Sequence, residues 1–359
     1  GGEPPPVGSL LKNPALARTL ERIAADGKDG FYRGPVAEKL AAFLEEGGGY
    51  LRTGDLAQHT STWVDPLSAE YHGYRLLVLP PNTQGMAQLM LTEMAKAHPL
   101  QDMGHNSPDY LHTLIELKKL AFADRDRWAA DPEMARIPLD RLLDPQRLRG
   151  RAGRVSPDEA AEAVEPGVLP EPVTDIVEPG VLPEPVTEIV EPGVLPEQEA
   201  EVADPGVLLD EVLGAVEPGV LPGEVVALGG YSWDGVAVRE ASGRGGPDDH
   251  GDTVYLTAVD RWGNAVSWIQ SLFSGFGSGL LEPETGVMLQ NRGALFTMEA
   301  GHPNRVAPGK RPYHTLTPLM ALREDGFLGF TLGTPGGDSQ TQSLLQIMNN
   351  LFLFEMTPQ

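Results

Sequence analysis

The 359-residue chain carries a formal charge of −24 and no cysteine, which excludes disulfides, thiol catalysis and cysteine-ligated metal. The charge is local, because Ser156 to Glu224 holds 18 acidic and no basic residues. The acidity argues against nucleic acid as a ligand. No apolar run reaches the length of about 18 residues that a membrane helix needs. The start, Gly1-Gly2-Glu3-Pro4-Pro5-Pro6, has neither a basic n-region nor an apolar h-region, so the chain reads as soluble and untargeted, its compartment open.

Asn13-Pro14 is an N-cap followed by proline at the first helical position, and helical spacing predicts a helix over Ala15 to Ala25, stopped by Gly27. Gly34-Pro35 opens a second helix through Glu46, and Thr53-Gly54-Asp55-Leu56 starts a short one, together a small helical subdomain. A β-hairpin is expected from Ser68 to Leu79 with its turn at His72-Gly73, then a Met- and Leu-rich helix from Gln84 to His98. A long helix follows from Ser107-Pro108 to Ala130, in which Asp124, Arg125, Asp126 and Arg127 read as an ion-pair lattice rather than an acidic site.

From Glu165 the segment Glu-Pro-Gly-Val-Leu-Pro-Glu-Pro-Val-Thr recurs, its Pro-Gly-Val-Leu core returning every 13 residues at Pro179, Pro192, Pro205 and Pro218. Two or three prolines per unit forbid regular helix and discourage central strands. Residues 157–223 are therefore expected to be a disordered or polyproline-like acidic insert. Order is expected to return near Tyr231-Ser232-Trp233, before a glycine-rich acidic loop from Arg239 to Asp252.

Asp252 to Ser271 reads as a hairpin whose loop, Arg261-Trp262-Gly263, ends in the glycine that a G1 bulge needs. Pairing its arms sets Thr253 opposite Ser271. Neither arm alternates cleanly, so the hairpin is expected to be covered on both faces. If the bond before Thr253 is cut, its hydroxyl is a nucleophile and its own α-amine, with a pKa near ~8, the base. No histidine, metal or cofactor is then required. Phe273 to Gly279 is glycine-rich but lacks the Gly-Lys-Ser/Thr ending of a phosphate loop. Phe327 to Leu332 reads as a strand running into Gly333-Thr334-Pro335-Gly336-Gly337-Asp338-Ser339 and a helix from Gln340 to Asn350, where an oxyanion could meet free N–H groups behind Asp/Ser caps.

The assembled pattern resembles the γ-glutamyltransferase family of N-terminal-nucleophile hydrolases. The matching residues include Leu10-Leu11-Lys12-Asn13-Pro14, Phe31-Tyr32-Arg33-Gly34, Pro80-Pro81-Asn82-Thr83-Gln84-Gly85, Lys118 through Arg127, Thr253 through Asp260, Lys310-Arg311-Pro312 and Pro335-Gly336-Gly337. The resemblance implies an α+β, four-layer αββα sandwich, made as one precursor that cuts itself before Thr253 into large and small subunits. Residues 1–156 would be large-subunit part, 157–223 the insert, 224–252 the end of the large subunit with the pre-cleavage loop, and 253–359 the small-subunit part. Thr253 would attack a γ-glutamyl amide such as glutathione and pass through an acyl-enzyme to water or an acceptor amine. Gly336 and Gly337 would supply oxyanion N–H groups, with His314, Thr315, Thr257 and Ser271 around the substrate.

The departures bear on substrate choice. Phe273 stands where the family's transpeptidases carry an Asn, Arg292 where they carry a Gln, and Leu295 where they carry an Asp. Those polar groups hold the α-amino and α-carboxylate groups of the donor, so the resemblance leans toward the family's bacterial, cephalosporin-acylase-like branch. A dicarboxylate-specific amidohydrolase is therefore the alternative, and an inactive homologue that recruits a partner through its acidic repeat is another. The family's amino-terminal portion, with an arginine that clamps the substrate carboxylate, has no counterpart before Gly1, and its last strands none after Gln359, which implies a fragment.

Overall fold

The computed structural model describes Pro6, residues 8–169, the strand residues Ser232–Trp233, Val236–Ala237 and Arg239–Glu240, and residues 251–357. The repeats beyond Leu169, and most of the loop before Gly251, lie outside the described residues.

The chain begins with four helices, α1 Pro14–Asp26, α2 Asp29–Tyr32, α3 Gly34–Glu46 and α4 Thr53–Gln58. Asn13 caps α1 by accepting from Leu16 N at 3.0 Å, and Gly27 ends it at φ 59°. The same Asn13 donates from Nδ2 to Gly286 O at 3.0 Å, while Thr19 donates to Thr285 O at 2.8 Å. A Cβ on Gly286 would lie 2.4 Å from Asn13 Oδ1, so glycine permits this close seating of α1 on the downstream chain.

Strands β1 Leu67–Tyr71 and β2 Tyr74–Val78 form the expected hairpin, with His72 and Gly73 both at positive φ (46° and 79°), as a type I′ turn requires. Next come α5 Gly85–Ala95, α6 Leu100–Met103, α7 Pro108–Trp128, α8 Leu139–Leu142 and α9 Pro145–Ala152. Helix α5 is apolar on nearly every side. Met86, Leu89, Met90, Leu91 and Met94 are all buried, and it runs through the centre of the core against α7, α9 and the first sheet.

The later strands are β3 Ser232–Trp233, β4 Val236–Ala237, β5 Arg239–Glu240, β6 Gly251–Val259, β7 Ala265–Ser274, β8 Leu281–Glu282, β9 Val287–Met288, β10 Leu319–Arg323 and β11 Leu328–Leu332, and α10 spans Gln340–Phe352. One antiparallel sheet has the order β1-β2-β10-β11, so the upstream hairpin pairs with the last two strands across most of the chain. A second has the order β5-β6-β7. Helices α5, α7 and α10 share one core with the first sheet, and the β6–β7 hairpin packs on that sheet's other side.

Two expectations need correction. The β6–β7 hairpin is covered on one face among the described residues. On its other face Val266 is 47% and Trp268 56% exposed, because no described layer meets that side. The ion pairs of α7 run along the helix only in part: Asp126 takes Arg125 at 2.6 Å and Glu116 takes Lys119 at 2.7 Å, whereas Asp124 is paired off the helix. Asp124, fully buried, receives Arg147 Nη2 at 2.7 Å and Gly167 N at 2.6 Å, with Arg151 Nε at 3.3 Å. Residues 157–169 have no helix or strand, yet Arg151 Nη2 holds Glu165 O at 3.3 Å and Ala161 N reaches Glu116 at 3.1 Å. One carboxylate thus joins α7, α9 and the opening of the repeat.

Replacing Asp124 by Asn would leave Arg147 and Arg151 buried without their counter-charge. Breaking a buried pair in this way costs about 3–5 kcal/mol, so urea denaturation of the Asp124→Asn variant should show a loss of that size.

Candidate active site

The register of the hairpin sets the first half of the site. Thr253 pairs with Ser271, Tyr255 with Ile269 and Thr257 with Ser267, and the pairing shifts between Gly251 and Thr253. The Asp252–Thr253 bond therefore falls at the one irregularity of an otherwise continuous ladder. Gly263, at φ 89°, ends the loop, and Asp260 N donates to Asn264 O at 2.9 Å across its neck.

The hairpin is keyed to the first sheet by side chains. Thr257 Oγ1 lies 2.6 Å from Thr331 Oγ1 and donates to Val266 O at 3.0 Å, and Ser267 Oγ donates to Leu319 O at 3.3 Å. Two residues nearer the head of β6, the Tyr255 ring covers Gly333, where an added Cβ would come within 2.0 Å of it. Glycine at 333 is a condition of the approach. Thr257, four residues from Thr253 and so about 13 Å along the strand, is occupied in sheet-to-sheet contact and is not brought to the head of the hairpin.

The second half is the turn after β11. Gly336 and Gly337 both have positive φ, 116° and 51°, and the first intrahelical donor is Ser339 N, bonded to Gly336 O at 2.8 Å. The amides of Gly336 and Gly337 precede that donor and are not spent on the helix, whose positive dipole end lies behind them. Asp338 and Ser339 do not cap, contrary to expectation. Ser339 Oγ donates back to Gly336 O at 2.9 Å, and Asp338 Oδ1 accepts from Arg125 Nη1 at 2.7 Å and from Tyr313 Oη at 3.3 Å.

Gln84, at the head of α5 and fully buried, joins this turn to the rest. Its Nε2 donates to Thr315 O at 2.6 Å and to Gly337 O at 3.1 Å, while its Oε1 accepts from Arg125 Nη1 at 3.0 Å. Arg125 is itself buried and stacks on the Phe122 ring at 3.7 Å. Gln84 and Arg125 were not among the expected site residues. The one sequence signal that could have found Gln84 is an amide at the head of an otherwise Met- and Leu-rich helix.

Between the two halves lie the remaining candidates. Ser271 Oγ accepts from Phe273 N at 2.8 Å and so holds Phe273 at φ 82°, a conformation that bulky residues rarely adopt. Asn291 fixes the same bend through Ser274 N at 3.1 Å and Ser274 Oγ at 2.9 Å. The Arg292 guanidinium lies 5.4 Å from the Phe273 ring centroid and is 8% exposed. His314 bridges to Thr83, and its Nδ1 accepts from Leu316 N at 3.3 Å, the role of an unprotonated nitrogen. Burial, reinforced by the Arg292 charge, pushes the His314 pKa down to about 4. Thr315 is 1% exposed beside it. Leu295 packs against the core. Among the described residues no group of His, Asp and Glu is arranged to hold a metal ion.

Comparison with known proteins accords with this geometry. The family described as gamma-glutamyltranspeptidase matches residues 1–178 and 233–359. A glutathione hydrolase-like proenzyme of Bacillus subtilis is 29% identical over 358 residues, covering 100% of this chain and 52% of the relative. An oxamate amidohydrolase proenzyme of Klebsiella pneumoniae is 30% identical over 352 residues, covering 98% of this chain and 51% of the relative. The crystal structure of a cephalosporin acylase from Bacillus halodurans superposes with a TM-score of 0.69 at 28% identity, over 99% of this chain and 50% of that one. The chain thus spans about half the length of the relatives it matches. A match that takes in the hairpin headed by Thr253, the double-glycine turn and the helical core alike leads to one conclusion: the chain belongs to the gamma-glutamyltranspeptidase family.

Proposed function

We propose that this chain carries the nucleophile and oxyanion site of a self-processing amide hydrolase or transferase acting on γ-glutamyl amides such as glutathione. The carrying observation is the way β6 and β11 run past each other. Thr257 meets Thr331 and Tyr255 meets Gly333. Continued by two residues on each side, the same alignment would bring Thr253 toward Pro335 and the Gly336–Gly337 amides.

Scission before Thr253 would free an α-amine with an ordinary pKa near ~8. Thr253 Oγ attacks the substrate carbonyl while that amine takes the hydroxyl proton. The carbonyl oxygen gains negative charge, which the amides of Gly336 and Gly337 receive. Collapse expels the leaving amine, which recovers the proton and leaves an ester on Thr253. Water or an acceptor amine then releases the acyl group by the same steps in reverse. Ser271 supports the head of the hairpin, and Phe273, Arg292, His314 and Thr315 line the acyl side. The fold that suits this reading is the four-layer αββα sandwich, its fourth layer on the Val266–Trp268 face. The two pieces of the cut chain would stay together through the β2–β10 pairing. Among the described residues no helix is long and apolar enough to cross a membrane.

Denaturing electrophoresis of the purified chain should resolve two fragments, the smaller beginning at Thr253 by amino-terminal sequencing. Thr253→Ala should stay whole and lose about 10⁴-fold or more of any γ-glutamyl-anilide hydrolysis, while Thr253→Ser should still divide. Wild-type protein that stays intact while turning over substrate would overturn the mechanism.

The same site predicts a pH dependence. Folded His314 stays neutral down to about pH 4, whereas an unfolded imidazole takes its proton near ~6.5. Between these values the unfolded chain binds the extra proton, so stability falls as pH is lowered, by up to about 1.4 kcal/mol per pH unit. Above the upper value the contribution is fully present. Urea midpoints measured at pH 7 and pH 5 should differ more for the wild type than for His314→Asn.

A further inference from the structure

The preceding mechanism gives the charge of Arg292 no part. Its guanidinium is 8% exposed, and neither Nη1 nor Nη2 has a hydrogen-bond partner among the described residues. The backbone N–H of Arg292 donates to the Gln290 side chain, which fixes the start of its short 3-10 turn, Arg292–Leu295. The ring of Phe273 lies against one side of the cation. The titratable groups that face it are His314 and Tyr313, both uncharged at neutral pH, His314 because its pKa is pushed down to about 4. The Asp338 carboxylate, which Tyr313 Oη reaches at 3.3 Å, is taken by Arg125 at 2.7 Å.

A buried fork of two free N–H edges, with no counter-charge beside it, fits a planar carboxylate brought by a ligand. Its place decides which ligand. Phe273 follows Ser271, the pairing partner of Thr253, and His314 precedes Thr315, whose carbonyl shares the Gln84 amide with Gly337. Arg292 therefore stands between the two halves of the proposed acyl site.

We propose that Arg292 receives the free carboxylate of the acyl donor, so that the chain's substrates are monoamides of dicarboxylic acids. Leu295, one turn onward, offers nothing to an ammonium, and no unpaired carboxylate faces the cluster among the described residues. The α-amine that distinguishes a γ-glutamyl from a glutaryl group is then not required. This inference rests on the acyl-Thr253 reading for its location.

The test is equilibrium binding of three five-carbon probes to the full chain by titration calorimetry: glutarate, L-glutamate and the neutral diamide glutaramide. Glutarate and L-glutamate should bind within about 10-fold of each other, and both at least about 10-fold more tightly than glutaramide. Arg292→Gln should lose that preference, and Arg292→Lys should keep part of it. Equal binding of glutarate and glutaramide would overturn the proposal, as would L-glutamate binding far more tightly than glutarate. Unchanged glutarate affinity in Arg292→Gln, with a lowered melting temperature, would assign the residue to structure instead. Should that variant fail to fold, the wild-type ranking of the three probes decides. Because binding needs no turnover, glutarate held by a chain that never divides before Thr253 would sink the nucleophile reading and leave this one standing.

Discussion

Everything at the site depends on how one hairpin lies across one strand. The contact of Thr257 with Thr331 and the seat of the Tyr255 ring on Gly333 fix both the height and the direction of β6 over β11. Both contacts are intolerant of slippage. A slip of β6 by one residue would turn Thr257 and Tyr255 alike to the opposite face and lose both contacts. The chain thereby positions residue 253 from contacts two and four residues away, without asking anything of the threonine itself. That suits a group that must be free to react.

A second constraint ties the oxyanion turn to the helical core. Gly336 and Gly337 adopt left-handed conformations that no N-capping side chain supports, since Ser339 Oγ turns back onto Gly336 O and Asp338 is held by Arg125. Stability comes instead from Gln84, whose single amide serves Thr315 and Gly337 while Arg125 holds its oxygen. All of these groups are buried or nearly so, so each would be costly to leave unpaired. Asp124 plays the corresponding part on the other side of α7, where it gathers Arg147, Arg151 and Gly167.

Local signals made much of this legible in the sequence. Asn13-Pro14, Ser107-Pro108, His72-Gly73 and the loop ending in Gly263 each carry a backbone requirement that few residues satisfy, and the elements they bound formed as expected. The pairing of Thr253 with Ser271 followed from the loop alone. What could not be read were the contacts between distant segments. Asp124 and Arg125 looked like neighbours on a helix surface, but they face opposite structures, one bound to α9 and the other to the turn after β11. Exposure of Val266 and Trp268 was equally invisible, since mixed alternation in a strand does not reveal which face lacks a covering layer.

Phe273 and Arg292 are best understood as one unit. A bulky residue at φ 82° carries a backbone penalty of about 1–2 kcal/mol, and asparagine or glycine would remove most of it. Ser271 and Asn291 hold the bend in place, so the conformation belongs to the scaffold and the choice of phenylalanine does not serve the backbone. Its benefit must come from the ring. Placed against the guanidinium, the ring shields one face of a cation whose Nη1 and Nη2 have no hydrogen-bond partner among the described residues, and leaves the in-plane N–H edges open. An asparagine there would relieve the bend but offer its own oxygen to the arginine and fill the fork. Tolerating strain at 273 keeps the donors of 292 unsatisfied among the described residues, the feature on which the proposed preference for a carboxylate rests.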